Sequence, residues 1–363
     1  MKLRVLHVFG RLDRGGAETM IMNIYRKIDR SCIQFDFVIH TKERCEYNDE
    51  IESLGGEIHN IPAYKGLNHH EYVKSWNDLF SKNQYLIVHG HVRSTALIYL
   101  SIAKKYDIKI ISHSHSTSSG KGINGIIKKI YQHPIRYVTK NLLACSNEAG
   151  IWLFGARTKF KVINNGIDIK QFEFNKDVRE KIRSDLELNH KFVIGHVGRF
   201  DPSKNHFFML EVFKEICDEV DNAILLLVGD GPLRTQIEQY ARDIQVYNRV
   251  IFTGSTGRVS EYYQAMDVFL FPSRYEGLGM TVVEAQSAGL RCVISDGIPQ
   301  EVVLTNLVDV VPLKHPPNIW AKIVSSYIDS INRPITYKEI KSKGYDVEDC
   351  TSYLKQYYLS LVQ

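Results

Sequence analysis

One pattern governs the chain: a short apolar run, a turn and an amphipathic helix, repeated several times and then begun again. In the first half the strand-like runs are residues 3–9, 34–40, 57–61, 85–89, 108–112, 141–145 and 160–164, with helical periodicity between them, as in Ala17–Ile28 and Ser94–Tyr106. Strands that alternate with helices predict a parallel sheet covered on both faces. The pattern restarts after the turn Asn164-Asn165-Gly166-Ile167-Asp168 and a polar stretch over 173–190. New strand candidates are 192–197, 223–228, 250–252, 268–271 and 292–294, separated by helices at about 205–219, 232–244, 258–265 and 280–288. The expected fold class is therefore α/β, with two Rossmann-like, doubly wound parallel-sheet domains that face each other across a cleft. The first domain is expected over 1–172 and the second over 173–339, with a helix at about 340–363 packing back on the first. In such folds ligands sit at the carboxyl ends of the strands, so the residues just after each strand are the ones to read for chemistry.

Three loops have the character of anion sites. After the first strand come Gly10-Arg11-Leu12-Asp13-Arg14-Gly15-Gly16-Ala17-Glu18 and a helix. Gly15 and Gly16 allow a close backbone approach, and a helix start offers free N–H groups to a phosphate; a structural turn is an equal alternative. The loop is neither a Gly-x-Gly-x-x-Gly fingerprint nor a Walker loop, which weighs against a nicotinamide-dependent dehydrogenase. In the second half Gly198-Arg199-Phe200-Asp201-Pro202-Ser203-Lys204-Asn205 places Arg199 and Lys204 five residues apart, a forked cation and a point charge suited to a diphosphate. Gly229-Asp230-Gly231-Pro232 reads as a tight turn into a third helix.

The segment over 267–289 decides the reading. A strand ends at Pro272, a glycine-rich turn carries Glu276, and the following helix carries Glu284 eight residues later. The backbone of Leu278, Gly279 and Met280 lies at the helix start, where N–H groups can hold phosphate. Two carboxylates bracketing a phosphate site fit a sugar nucleotide: Glu276 to accept bonds from the transferred sugar, Glu284 from the ribose. A glycosidase pair would need no phosphate machinery.

These residues resemble the Glu-x7-Glu signature of the family 4 retaining glycosyltransferases, which have the GT-B fold. The likeness runs through Gly15-Gly16, Arg199 with Lys204, Gly229-Asp230-Gly231, Phe252-Thr253-Gly254, and Pro272-Ser273 before Glu276-Gly277. By that resemblance Arg199 and Lys204 bind the donor diphosphate, Phe252 lies near the base, and transfer retains anomeric configuration without an obligatory metal. The Gly-Gly-Ala-Glu loop and the Ser-His-Ser-His run are similar to those of bacterial capsular and exopolysaccharide transferases. The implied reaction moves a hexose or N-acetylhexosamine, from a UDP-sugar by preference, to a saccharide acceptor on a polyprenyl diphosphate. A catalytically silent nucleotide-sugar-binding component of a polysaccharide assembly is the alternative, against which the intact Arg199, Lys204, Glu276 and Glu284 argue.

Two histidines follow the fifth strand. His113 and His115 lie on one face of an extended segment, but no carboxylate or thiol adjoins them to complete a metal shell, so no metal is expected. The resemblance places a histidine here beside the transferred sugar; His113 is the first choice and His115 the second. His89 and His91, after the fourth strand, are further candidates for the acceptor side.

Charge is unevenly shared. The formal net charge is +5, but residues 1–172 carry +10 and the remainder −5. Residues 108–147 contain no Asp or Glu, and Lys121, Lys128 and Lys129 lie there among apolar residues at helical spacing. Such a surface predicts docking on an anionic leaflet, while no nucleic-acid motif accompanies the charge. Cysteines 32, 45, 145, 217, 292 and 350 include no Cys-x-x-Cys pair, and the run at residues 3–9 is too short and polar for a signal peptide. The expectation is a cytoplasmic protein, peripheral at the inner face of the cell membrane.

Overall fold

The computed structural model describes residues 2–115, 134–328 and 332–363. The chain divides into two compact units, Met1–Ile167 with Gly344–Gln363, and Asp168–Lys343.

The first unit is built on seven strands, β1 Leu3–Val8, β2 Ile33–Ile39, β3 Ile58–Asn60, β4 Ile87–Gly90, β5 Lys109–Ser114, β6 Leu142–Ala144 and β7 Lys161–Val162. All pair in parallel in the order β3-β2-β1-β4-β5-β6-β7, so the strand order reverses between β1 and β4. Period-2 alternation sends Leu6, Val8, Val88 and Ile110 to one face and Val5, Phe35, Phe37, Ile87 and Ile111 to the other. The second face is covered by the helix Gly16–Lys27 and by the terminal helix Val347–Val362. Spacing explains the latter: Val347, Cys350, Thr351, Leu354 and Tyr358 form one buried stripe. Asp346 caps that helix, accepting from Glu348 N at 2.8 Å, and Glu348 and Asp349 lie in the first turn, where the helix dipole favours acids.

The second unit holds β8 Phe192–Val197, β9 Ala223–Val228, β10 Val250–Gly254, β11 Val268–Phe271, β12 Arg291–Ser295 and β13 Val308–Val311. These form a parallel sheet in the order β10-β9-β8-β11-β12-β13, with its own reversal between β8 and β11. Buried Asp267 pins both strands where they begin: it accepts from Arg179 Nη2 at 2.5 Å and from Val193 N at 2.8 Å. The core lies between the sheet and the helices His206–Glu219 and Pro317–Ser325, where Trp320 is fully buried against Phe208. Among the described residues no helix is long and apolar enough to cross a membrane.

Candidate functional site

In the second unit the loops after β8, β9 and β11 are bound to one another. Phe200 N donates to Asp230 O at 2.9 Å, Arg274 N to Ser203 O at 2.7 Å, and Asn205 Nδ2 to Pro272 O at 3.1 Å. Gly229, at φ +137°, and Gly231 permit this approach, because a Cβ on them would lie 2.1 Å from Gly198 O and 2.5 Å from Phe200 O. Both glycines thus have a packing role within the loop cluster.

Lys204 and Glu276, 72 residues apart, meet there: Lys204 Nζ donates to Glu276 Oε1 at 2.7 Å, and the pair is largely shielded from solvent. The ammonium also lies 4.9 Å from the centre of the Phe271 ring. An ammonium and a carboxylate from two different loops are therefore side by side, held by a strand end and a helix start. Arg199 is exposed on the same loop as Lys204. The turn after Glu276 closes through Gly279 at φ +85°, which caps the helix Met280–Ser287. Leu278 is buried, and the first-turn N–H groups at Met280 have no intrahelical acceptor by the geometry of a helix start.

Glu284 lies one turn further along, accepting from the Tyr263 hydroxyl at 3.0 Å. Burial pushes its carboxyl from 4.5 up to about 7, with Tyr263 pulling partly back. Between those values the folded chain holds a proton that the unfolded chain has released. Stability from this group is thus present below 4.5 and lost as pH rises through about 7. Glu284→Gln should flatten that decline, read as a smaller difference between urea midpoints at about pH 5 and about pH 8. An unchanged difference would mean that Glu284 is already ionised in the folded chain at the lower pH. Phe252 packs edge-on to Phe200, centroids 6.2 Å apart, beneath the Arg234 guanidinium.

In the first unit, Gly15 caps the helix that begins at Gly16. Glu18 folds back over that start, its Oε2 2.3 Å from where a Gly15 Cβ would stand, so a side chain at position 15 would displace the Glu18 carboxyl. The Glu18 carboxyl takes a bond from its own backbone N–H, yet burial raises it to about 6. The chain's own carboxylate thus lies where the sequence places a phosphate.

The carboxyl end of the first sheet carries a cluster of five histidines that the sequence displays only as two separate pairs and the single His7. His7 on β1 is in register with His89 on β4, and β4 adjoins β5. Period-2 alternation then puts His7, His89, His91, His113 and His115 on one face. His7 Nδ1 contacts His91 Nε2 at 3.0 Å, and His91 Nδ1 contacts His115 Nε2 at 2.8 Å. His89 Nε2 contacts His113 Nδ1 at 3.1 Å, and His89 Nδ1 contacts the Tyr358 hydroxyl at 2.6 Å. Burial holds all five imidazoles below their ordinary range, His7 and His115 at about 3, so they are neutral at physiological pH. His113 lies within β5 and is fully buried, whereas His115 follows the strand end and is half-buried. Lys121, Lys128 and Lys129 lie outside the described residues.

Two parallel α/β units, with a cation–carboxylate pair and a helix start at the switch point of the second, define a GT-B glycosyltransferase. Residues 14–171 match the model of glycosyltransferase family 4, and residues 178–345 that of glycosyl transferases group 1. The chain belongs to this family of glycosyltransferases. It is 34% identical to the putative glycosyltransferase EpsF of Bacillus subtilis, over 98% of this chain and 96% of EpsF. It is 26% identical to the capsular polysaccharide biosynthesis glycosyltransferase CapH of Staphylococcus aureus, over 99% of each chain. Over 60% of this chain and 59% of the relative, it is 28% identical to the Escherichia coli UDP-Gal:alpha-D-GlcNAc-diphosphoundecaprenol alpha-1,3-galactosyltransferase. Among solved structures, Anabaena Alr3699/HepE in complex with UDP superposes with a TM-score of 0.80 at 18% identity, covering 99% of this chain and 100% of that one. The protein is thus an enzyme of the glycosyltransferase class, related to enzymes of polysaccharide biosynthesis.

Proposed function

We propose that this enzyme moves a hexose or N-acetylhexosamine from a UDP-sugar, with retention of anomeric configuration, to a saccharide carried on a polyprenyl diphosphate. The observation that carries the reading is the Lys204–Glu276 contact at 2.7 Å beside the start of the helix Met280–Ser287. In the transfer, the bond from the sugar's anomeric carbon to the diphosphate breaks as the acceptor hydroxyl oxygen bonds to that carbon on the same face, and the hydroxyl's proton passes to the departing UDP. Arg199, Lys204 and the N–H groups around Leu278, Gly279 and Met280 take the charge that grows on the departing UDP. Glu276 accepts from sugar hydroxyls, Glu284 from the ribose, and Phe252 borders the base. In the first unit Gly15 and Gly16 form a second candidate phosphate turn, covered by Glu18, and in the second unit Gly229 and Gly231 hold the donor loops together. Of the two histidines after β5, His113 is the first choice for the reacting sugar and His115 the second; His89 engages His113 at Nδ1 and leaves its Nε2 without a partner among the described residues.

The E. coli relative's UDP-Gal donor and diphosphoundecaprenol-linked acceptor, and the UDP held by HepE, support the choice of substrates. The +10 balance of residues 1–172, Lys121, Lys128 and Lys129 included, supports docking at the anionic inner face of the cell membrane. A thermal-shift screen tests the donor. UDP and one UDP-sugar should raise Tm, by the equivalent of about 2.7 kcal/mol at a hundred times Kd, while GDP and GDP-sugars leave it unchanged. Stabilisation by the guanine nucleotides alone, or by neither set, would overturn the assignment.

A further inference from the structure

The five histidines are arranged in two layers, and the layers have different jobs. Three of them, His91, His113 and His115, bring one ring nitrogen each to within 4.8 Å of one another at the carboxyl end of β4 and β5. Beneath them, His7 and His89 each hold one of the three by its other nitrogen. His7 Nδ1 meets His91 Nε2 at 3.0 Å, leaving His91 Nδ1 to point outward. His89 Nε2 meets His113 Nδ1 at 3.1 Å, leaving His113 Nε2, which is buried and has no hydrogen-bond partner. His89 is itself fixed by the Tyr358 hydroxyl at 2.6 Å.

We propose that His91, His113 and His115 form a binding site for one divalent transition-metal ion of the zinc type, with a fourth coordination position open to solvent or ligand. Histidine ligands to metals nearly always have the second ring nitrogen engaged by a partner that sets the ring's orientation. Here that partner exists for both buried members of the trio, and in each case it is another histidine.

The same arrangement selects this trio over the alternative of His7, His89 and His91, whose ligand nitrogens are equally close. In that deeper set, a ring nitrogen of His89 faces Tyr358 and one of His7 is already committed to His91. All three are buried, so the ion's two charges would enter the core. The outer trio ends at His115, the one member that keeps partial exposure.

The geometry needs little change. His91 Nδ1 and His115 Nε2 are 2.8 Å apart around a shared proton. Two imidazole nitrogens on a tetrahedral zinc stand about 3.3 Å apart, from Zn–N bonds of about 2.0–2.1 Å. Exchanging the proton for the ion therefore asks these rings to part by about half an ångström. An all-imidazole shell also defines the class of ion: zinc, cobalt(II), nickel and copper suit it, whereas magnesium and calcium require oxygen ligands.

Cobalt(II) titration of untagged, chelator-treated protein tests the site without donor or acceptor, so the outcome is independent of any sugar-transfer assay. One equivalent should bind with the intense visible bands of a four-coordinate ion. Zinc should displace it stoichiometrically, and a large excess of magnesium should not. His115→Asn, a change at the exposed end of the trio, should weaken binding by about 10-fold or more and abolish those bands. His7→Phe should keep a one-to-one complex with the same band shape. Absence of a stoichiometric complex in the wild-type chain would overturn the proposal. So would a spectrum that survives His115→Asn, loss of the complex in His7→Phe, or displacement by magnesium.

Discussion

Glu276→Gln should lower kcat/KM for sugar transfer by roughly 10³-fold, about 4 kcal/mol of transition-state stabilisation, while the variant still binds UDP. The expectation follows from what each member of the Lys204–Glu276 pair is for. Without donor, the carboxylate neutralises the ammonium at 2.7 Å in largely shielded surroundings. In the donor complex proposed above the two part, the ammonium turning to the diphosphate and the carboxylate to the sugar. An amide of the same shape keeps the packing and one acceptor oxygen but removes the charge. Lys204 is then released from its partner, so UDP affinity should hold or rise while turnover collapses. Isothermal titration with UDP beside a transfer assay separates the two effects. Turnover near that of the wild type would remove Glu276 from its role, and loss of UDP binding in step with turnover would mean that the substitution had disrupted the loop cluster.

Tyr358→Ala should cost about 3–5 kcal/mol, all of it in the first unit. The ring is fully buried, edge-on to Phe35 at 6.0 Å and to His89 at 5.8 Å, and its hydroxyl is the partner of His89 Nδ1. Truncation removes the ring contacts and also leaves a buried imidazole nitrogen unpaired. Tyr358→Phe isolates the second loss, which should cost about 1–3 kcal/mol. Native-state hydrogen exchange gives the localisation: amides of β1, β2 and β4 should lose protection, while those of β8, β9 and β11 keep theirs. Equal loss in both sheets, or a cost below about 1 kcal/mol for the alanine variant, would show that the terminal helix does not complete the first core.

The thirteen strands illustrate how much the sequence discloses and where it stops. Twelve are visible as apolar runs, since strands inside a covered parallel sheet need such runs, although the edge strands β3 and β7 are partly exposed and shorter than the runs that announce them. β13, Val308–Val311, was not among the expected strands: it is an edge strand, only Val311 is buried, and Asp309 interrupts its apolar character. The helix Pro317–Ser325 was likewise not expected, although Trp320 and Val324 lie a turn apart on its buried face.

Site residues follow the same division. Glu276, Arg199 and Lys204 stand out as candidates because they lie in loops after strands, and Glu284 because it follows Glu276 by eight residues on the helix Met280–Ser287. The Lys204–Glu276 contact is not, since it depends on β8 lying beside β11 across 72 residues of chain. The histidine cluster is the clearest case. His89-x-His91 and His113-x-His115 are plain to see, but strand order is not written in the residues. Only when β1, β4 and β5 lie side by side do three short segments become one constellation, with the third nitrogen coming from a neighbouring strand.

The return of the chain to the first unit has a consequence for biogenesis. A ribosome delivers residues from the amino end, and domains generally fold as their sequence emerges. The second unit is continuous from Asp168 to Lys343, so all of its sequence exists before Gly344–Gln363 are made. The first unit was begun earlier but lacks Cys350, Leu354 and Tyr358 from its core until those residues emerge. The half that is translated first can complete its core only after the second unit's sequence has been made, and a chain stalled before residue 344 would leave the part of the first sheet beneath Cys350, Leu354 and Tyr358 without its cover.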